Sequence, residues 1–302
     1  MDGFITVNKA QGMTSFDVIR KLKRIFPRTK LGHLGTLDPM AQGVLPVAIG
    51  LATRVIEYIA DTDKVYRATM TLGGVSDTQD AWGNITYKSY FDFTNCDISV
   101  KKLHDLFKKY TGLIKQIPPM YSAVHHEGKR LYELARQGIT VDRESREIEI
   151  EYIKLLSTDI DGEGRPLVNI EVGCSKGTYI RTLCHDMGID LGSGAYLSSL
   201  TRIRAGAFTI EESYSLEELG QQSPKLTDLI RTIDFPLQHI PEFTIDSSHL
   251  DKIFNGNRIS VDEGCSPGLV RVYEPQGSLI AIAECRIENN RTYLQPQKVF
   301  KQ

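Results

Sequence analysis

Closely spaced cysteines are missing from this sequence. Its five cysteines are odd in number, lie far apart along the 302 residues and never form a CxxC pair (Cys96, Cys174, Cys184, Cys265 and Cys285). Disulfide-stapled domains and zinc ribbons need regularly spaced cysteines. We therefore expect neither a disulfide framework nor a zinc site, and we expect the protein to work in a reducing cytoplasm.

Long apolar runs are also missing. No stretch approaches the roughly 20 apolar residues that a membrane-spanning helix needs, so we expect no membrane partner. Residues 1–4 lack the basic start and apolar core of a secretory signal. With 41% hydrophobic and 25% charged residues, the chain has the composition of a globular protein. Its length suffices for one large domain and one small domain.

A strong net charge is absent, but the charges are unevenly distributed. The formal net charge is -2, which does not by itself indicate nucleic acid. Residues 1–30 nevertheless hold seven Lys or Arg against two Asp, and residues 101–136 hold eight basic against three acidic residues. Such regions fit a surface that contacts phosphates. They fit solvated helix faces equally well.

Charge is scarcest between Leu34 and Thr53. At the average composition five of these 20 residues would be charged, yet Asp38 is the only one. Pro39 disfavours helical geometry at Asp38 and holds it extended. An Asp-Pro pair ordinarily closes a turn or caps a helix. A lone carboxylate in apolar surroundings costs free energy unless a nearby group compensates it, so Asp38 is also a candidate functional residue.

Arg181 is a positive charge that also needs an oppositely charged partner. It stands among apolar neighbours at the start of a predicted helix, and a buried arginine is costly without an acidic partner. Asp38 needs a cation for the same reason. The sequence alone does not prove that the two residues meet.

Alternation and capping signals predict an α+β protein. Thr14 or Ser15 is predicted to cap a first helix that ends before Pro27. Gly138 is predicted to end a short helix that follows residue 130. The remaining predictions are strands at 4–7, 63–72, 148–155, 167–172, 269–273 and 279–283, helices at 52–59, 99–110, 250–256 and from about 180, and loops at 73–80 and 116–130.

Several motifs resemble those of the bacterial pseudouridine synthases of the TruB type, which act on uridine 55 of tRNA. Residues 32–50, GHLGTLDPMAQGVLPVAIG, match the family pattern GHLGTLDPxAxGxLPxxxG, and residues 177–181 match its GTYIR motif. Residues 64–66 match KxY. Residues 8–15 match NKPxGxTS, except that Ala10 replaces the proline. Residues 118–136 resemble PPxYSAxKxxGxxxYxxAR, with His125 where the family has lysine.

The resemblance implies a pseudouridine synthase fold, with a central mixed, mainly antiparallel sheet flanked by helices and loops. It places this catalytic domain at residues 1–236, with a thumb loop at about 114–145. A small β-rich, PUA-like RNA-binding domain would follow at 237–302. The implied partner is tRNA, through its T-arm stem-loop, for a monomer without an obligate protein partner.

The same resemblance assigns the site residues. Asp38, Tyr66 and Arg181 would be catalytic, with Arg181 against Asp38 and Tyr66 against a flipped uracil. His33, Tyr179 and Leu200 would contact the RNA or the base, and Lys9 and Lys64 would add positive charge for phosphates. The reaction needs no metal and no other cofactor, and none is expected here.

Two other functions are weighed against this one. A carboxylate hydrolase would need two well-placed acids, and the central segment offers only Asp38. A non-catalytic tRNA-binding or folding chaperone of the same architecture is the stronger alternative. The pair His125-His126 could suggest a metal, but adjacent histidines do not share a helix face and no third ligand lies nearby.

Overall fold

The computed structural model describes residues 1–59, 62–87, 99–221, 226–261 and 264–301. Cys96, one of the five cysteines, lies outside these ranges. Six α-helices occur among the described residues: α1 Ser15–Ile25, α2 Val100–Lys109, α3 Leu131–Arg136, α4 Ile180–Asp190, α5 Leu216–Gln221 and α6 Leu250–Phe254. None of them has the length and apolar content needed to cross a membrane.

The strands fall into a large sheet, a smaller sheet and two short hairpins. In chain order they are β1 Gly3–Lys9, β2 Leu31–His33, β3 Gln42–Ile49, β4 Lys64–Leu72, β5 Gly74–Ser76, β6 Ile85–Tyr87, β7 Gly112–Gln116, β8 His125–His126, β9 Lys129–Arg130, β10 Arg146–Ile160, β11 Pro166–Cys174, β12 Ala195–Ala205, β13 Phe208–Thr209, β14 Glu242–Thr244, β15 Ile259–Val261, β16 Gly268–Tyr273, β17 Leu279–Glu288 and β18 Arg291–Val299. The α+β prediction is confirmed.

The large sheet has the order β1-β3-β12-β4-β11-β10-β7, with β2 paired to β3 and β13 paired to β12. Its pairs are antiparallel except for the short β3–β12 contact, where Thr201 lies opposite Gln42 and Arg202 opposite Gly43. The prediction of a mixed, mainly antiparallel sheet is therefore confirmed. Strand β12 lies between β3 and β4, so it joins the Asp38 segment to the strand that carries Tyr66.

Helix α1 packs on this sheet through a narrow apolar stripe. Val18, Ile19 and Leu22 are buried and spaced for one helix face. Thr14 caps the helix: its hydroxyl accepts a hydrogen bond from Asp17 N, while the Asp17 carboxylate accepts one from Thr14 N. This reciprocal arrangement satisfies two backbone donors at the helix start. The predicted cap is confirmed.

The second sheet has five strands in the order β14-β16-β17-β18-β15. It has its own apolar core, which includes Val270, Val272 and Leu294. The predicted division at residue 236 falls just before its first strand, and this division stays a prediction.

Three local predictions need correction. The segment 52–59 forms two short 3-10 turns, Gly50–Arg54 and Ile56–Tyr58, instead of an α-helix. The predicted loop at 73–80 contains β5, which pairs with β6. The predicted thumb loop contains the hairpin of β8 and β9. Strands β8 and β9 are joined by a tight turn at residues 127–128, and β5 and β6 by the longer loop 77–84. Apolar alternation reveals neither connection.

Candidate active site

Asp38 lies on the turn between β2 and β3, and its carboxylate meets the side chain of Arg181. The Nε atom of Arg181 is 2.9 Å from Oδ2 of Asp38. The Nε–H does not meet hydrogen-bond geometry, so the contact is an ion pair. The Arg181 side chain is 4% exposed and that of Asp38 is 37% exposed. The carboxylate is therefore held from the protein side and open to solvent on the other.

The rest of the Arg181 guanidinium is held by two loops. Its NH1 atom donates to the Thr78 carbonyl at 3.1 Å, and its NH2 atom donates to the Tyr121 carbonyl at 2.8 Å. A second carboxylate, that of Asp80, has Oδ2 3.8 Å from NH1. Two carboxylates and two carbonyls offset the cost of burying this charge. They also fix the direction from which Arg181 approaches Asp38.

Asp80 was missed by the sequence reasoning. It is 6% exposed, and it ends a stretch predicted to be a polar loop. An aspartate in such a stretch carries no local sign that it is buried beside an arginine about 100 positions further along the chain. Its burial follows from the pairing of residue 80 with Leu197 on β12.

Tyr66 and Leu200 lie on neighbouring strands and share one face of the sheet. Leu200 is opposite Ala68, and Arg202 is opposite Tyr66, in the β4–β12 register. Tyr66 is 7% exposed and Leu200 is 6% exposed. Burial raises the pKa of Tyr66, and the adjacent charge of Arg202 opposes that rise. The Tyr66 hydroxyl is therefore protonated at neutral pH.

Arg202 is a second buried arginine that the sequence reasoning did not place in the site. It is 1% exposed. Its Nε atom donates to the Val44 carbonyl at 2.7 Å and its NH2 atom donates to the Gly35 carbonyl at 2.9 Å. These bonds attach β12 to both ends of the Asp38 turn. Only the three-strand arrangement of β3, β12 and β4 brings this residue inward, so no local pattern indicates it.

Tyr179 precedes α4 and connects the site to β7. Its backbone N–H donates to Gln116 Oε1 at 2.8 Å, and Gln116 Nε2 donates to the Tyr179 carbonyl at 3.0 Å. Burial raises the pKa of Tyr179; the nearby charge of Asp38 also raises it, and that of Arg181 opposes the rise. The predicted residue Tyr179 thus lies beside the Asp38–Arg181 pair.

His33 is half-buried on β2. Burial and the charge of Arg202 lower its pKa, so the imidazole is neutral at neutral pH. Its Nδ1 atom is buried and has no hydrogen-bond partner among the described residues. Lys64 begins β4, and its Nζ atom donates to the Thr62 carbonyl at 2.7 Å.

The expectation that Lys9 contacts phosphates does not fit the structure. Its side chain is fully buried, and Nζ donates to the carbonyls of Ala10 and Met13, at 3.1 Å and 2.7 Å. Burial lowers its pKa from 10.5 to about 8, while the charge of Asp38 opposes that fall. Lys9 braces the turn that follows β1 and adds positive charge near Asp38, but it presents no ammonium group to RNA.

Metal ligands do not gather at this site. Within the described part of the chain, no three His, Cys, Asp or Glu side chains lie close enough together to hold an ion. His125 and His126 are consecutive residues of β8 and lie opposite Arg130 and Lys129. The site thus contains a carboxylate, its arginine partner and, on the neighbouring strands β4 and β12, the buried side chains of Tyr66 and Leu200.

Two family models match the chain. The TruB family pseudouridylate synthase N-terminal domain matches residues 23–180, and the tRNA pseudouridylate synthase B C-terminal domain matches residues 181–238. The chain belongs to the TruB family of pseudouridylate synthases. Membership of this family makes it an enzyme of the isomerase class and confirms the resemblance seen in the sequence motifs.

Curated relatives agree along the full length. The chain is 52% identical to tRNA pseudouridine synthase B of Syntrophomonas wolfei over 302 residues, which cover 100% of this chain and 99% of the relative. It is 40% identical to tRNA pseudouridine synthase B of Dehalococcoides mccartyi, with 99% of this chain and 97% of the relative covered.

Solved structures show the same fold. A chain of an H/ACA RNP bound to a substrate RNA containing 2′-deoxyuridine superposes with a TM-score of 0.73 at 26% identity, covering 99% of this chain and 85% of that chain. A chain from a Cbf5-Nop10-Gar1 complex gives a TM-score of 0.73 at 28% identity with the same coverage. The predicted pseudouridine synthase fold is confirmed.

Proposed function

We propose that this TruB-family protein converts uridine 55 in the TΨC loop of tRNA to pseudouridine. The observation that carries the proposal is the Asp38–Arg181 ion pair, with a 2.9 Å contact on the buried side and a carboxylate open to solvent on the other. The names of the full-length relatives, tRNA pseudouridine synthase B, support tRNA as the substrate.

The reaction breaks the bond between C1′ of the ribose and N1 of uracil, turns the base and joins C1′ to C5. The C5 proton is then lost to solvent and N1 takes up a proton, so that the product is an isomer of uridine. Asp38 acts at the sugar–base junction, where an ionised carboxylate is needed. Arg181 balances the charge of the Asp38 carboxylate and holds it in place through the 2.9 Å contact. No redox cofactor, metal or nucleotide enters this balance.

The uridine must leave its stack to reach Asp38. Enzymes that act on a base pay a few kcal/mol to unstack it and recover that cost in a fitted pocket. Tyr66 and Leu200 form the apolar wall against which the flipped uracil packs, and Tyr179 closes the pocket beside Arg181. The neutral, half-buried His33 occupies or stacks beneath the space that the base leaves in the loop.

Binding of the T-arm involves more than the pocket. We propose that residues 237–302 form a PUA-like RNA-binding domain and that the thumb segment, about 114–145, closes over the T-loop. Lys64, at the start of β4, adds positive charge for the backbone phosphates. The protein acts as a monomer in the cytoplasm.

The test of this function is tritium release from a tRNA transcript carrying tritium at C5 of uridine. Wild-type protein should release tritium corresponding to one uridine per tRNA, and a transcript with cytidine at position 55 should release none above background. Equal release from both transcripts would refute the assignment to position 55. Tight binding of the transcript with no release would make the protein a tRNA-binding chaperone instead.

A further inference from the structure

The tryptophan at position 82 is exposed on a turn that contacts the candidate active site through Arg181. It is the one tryptophan of the chain. It lies in the turn between β5 and β6, and its side chain is 55% exposed. Single exposed apolar side chains are ordinary on protein surfaces, so exposure alone says little. Two further observations distinguish Trp82: its turn is fixed by hydrogen bonds, and the same turn contacts Arg181.

The turn that carries Trp82 is held in one conformation. Oδ1 of Asp80 accepts hydrogen bonds from the Trp82 backbone N–H, at 3.0 Å, and from the Thr78 hydroxyl, at 2.7 Å. The Ala81 N–H donates to the Leu197 carbonyl on β12 at 2.9 Å. The backbone beneath the indole is therefore attached to the central sheet, and little ordering is left for a ligand to impose.

The same turn forms one wall of the Asp38 site. The other oxygen of Asp80, Oδ2, lies 3.8 Å from Arg181, and the Thr78 carbonyl accepts a hydrogen bond from Arg181 at 3.1 Å. Arg181 in turn contacts Asp38. Trp82 lies two positions after Asp80, with only Ala81 between them. The backbone that carries the exposed indole is thus one contact removed from the arginine that holds Asp38.

The indole also differs from other exposed rings. Arg20 covers the ring of Phe16 at 5.6 Å, and Arg165 covers that of Tyr87 at 5.1 Å. No Arg or Lys side chain covers Trp82 in this way among the described residues. Unpaired nucleobases bind proteins by stacking on such open aromatic faces.

We propose that Trp82 stacks on an unpaired nucleobase of the substrate loop, next to the uridine that enters the Asp38 site. This inference rests on the proposed function, because it takes the ligand of Trp82 to be a tRNA loop. The ligand is a single-stranded base recognised through its π-face, so a purine with its larger ring system should bind best.

The first test is intrinsic fluorescence of full-length protein. All tryptophan emission comes from Trp82, and a base stacked on an indole quenches it. Asp38→Asn protein is titrated with unmodified tRNA transcript, so that turnover does not complicate the reading. Quenching should saturate at the dissociation constant measured by filter binding. Filter binding without any change in tryptophan emission would overturn the proposal.

The second test compares variants. Trp82→Ala should weaken tRNA binding roughly five- to fiftyfold, whereas Trp82→Phe, which keeps a stacking ring, should bind within about threefold of the parent. The control is Ile189→Ala, an exposed apolar side chain (51%) on α4. It lies eight positions beyond Arg181, about 12 Å along the helix axis, and should leave binding unchanged. Equal loss in Trp82→Phe and Trp82→Ala would overturn the stacking assignment.

The third test locates the partner base. T-stem-loop transcripts are made with one abasic loop nucleotide each, and binding is measured to the parent and to Trp82→Ala. At the loop position whose base stacks on Trp82, the loss of binding free energy from the abasic site and that from Trp82→Ala should not be additive. Full additivity at every position would overturn the proposal. Tritium release is followed separately, because a wild type that releases none contradicts the proposed function and not the stacking of Trp82.

Discussion

The Arg181 guanidinium lies between two carboxylates, with Nε 2.9 Å from Asp38 and NH1 3.8 Å from Asp80. The Asp38 side chain is 37% exposed and the Asp80 side chain is 9% exposed. The Asp38 carboxylate thus faces solvent, while the Asp80 carboxylate stays in the protein. This arrangement lets Asp38 take part in chemistry without leaving the buried arginine unpaired.

Removal of both carboxylates should cost more stability than the two single losses together. Asp38→Asn and Asp80→Asn each leave Arg181 one charged partner, but the double variant leaves a buried charge with carbonyls only. We expect the double variant to lose about 1–3 kcal/mol beyond the sum of the singles. Urea unfolding of the four proteins measures this. Additive losses would mean that the two carboxylates do not share Arg181.

Lys9 should make stability depend on pH in the alkaline range. Its pKa in the folded protein is about 8, against an ordinary 10.5, because the ammonium is buried. Between these values the unfolded chain binds more protons than the folded one, so stability rises with pH. The free energy of unfolding of the wild type, minus that of Lys9→Met, should therefore increase from pH 8 to 10.5. If this difference in unfolding free energy stays constant or falls, the lowered pKa of Lys9 in the folded protein is contradicted.

Gly43 should tolerate no side chain where β3 meets β12. Its φ is +101°, and a Cβ there would lie 2.2 Å from the Arg202 carbonyl oxygen. Gly43→Ala combines backbone strain with a clash against backbone, and we expect a loss of about 3–5 kcal/mol of stability. Gly112→Ala is the control: φ is +96° with open space around it, so only about 1–2 kcal/mol should be lost. Thermal unfolding measures the stability of both variants. Equal stability losses in the two would contradict a clash at residue 43.

Several features of the fold and the site were predictable from sequence because they depend on local patterns. Apolar alternation predicted β4, and the capping residue type of Thr14 or Ser15 predicted the start of α1. Two unmatched charges, together with the family resemblance, predicted that Asp38 meets Arg181. That contact is confirmed, while the catalytic roles of Asp38, Tyr66 and Arg181 stay predictions.

The features that were missed depend on long-range pairing. Asp80 and Arg202 become buried site residues because β12 pairs with β3 and β4 and contacts the turn at residue 80. Lys9 was misread for a related reason: it lies in a basic stretch, but the chain turns its ammonium inward onto the Ala10 and Met13 carbonyls. Charge in a sequence shows how many cations exist, but not which of them face solvent.

The central claim is that Asp38 acts on the uridine while Arg181 holds it. The most direct measurement is single-turnover tritium release from C5-labelled tRNA by Asp38→Asn, with binding of the same tRNA measured in parallel. Arg181 keeps Asp80 in this variant, so the fold and tRNA affinity should be retained. We expect release to fall to background with a dissociation constant within about threefold of wild type, since only a carboxylate contact is removed. Release at the wild-type rate would contradict the account.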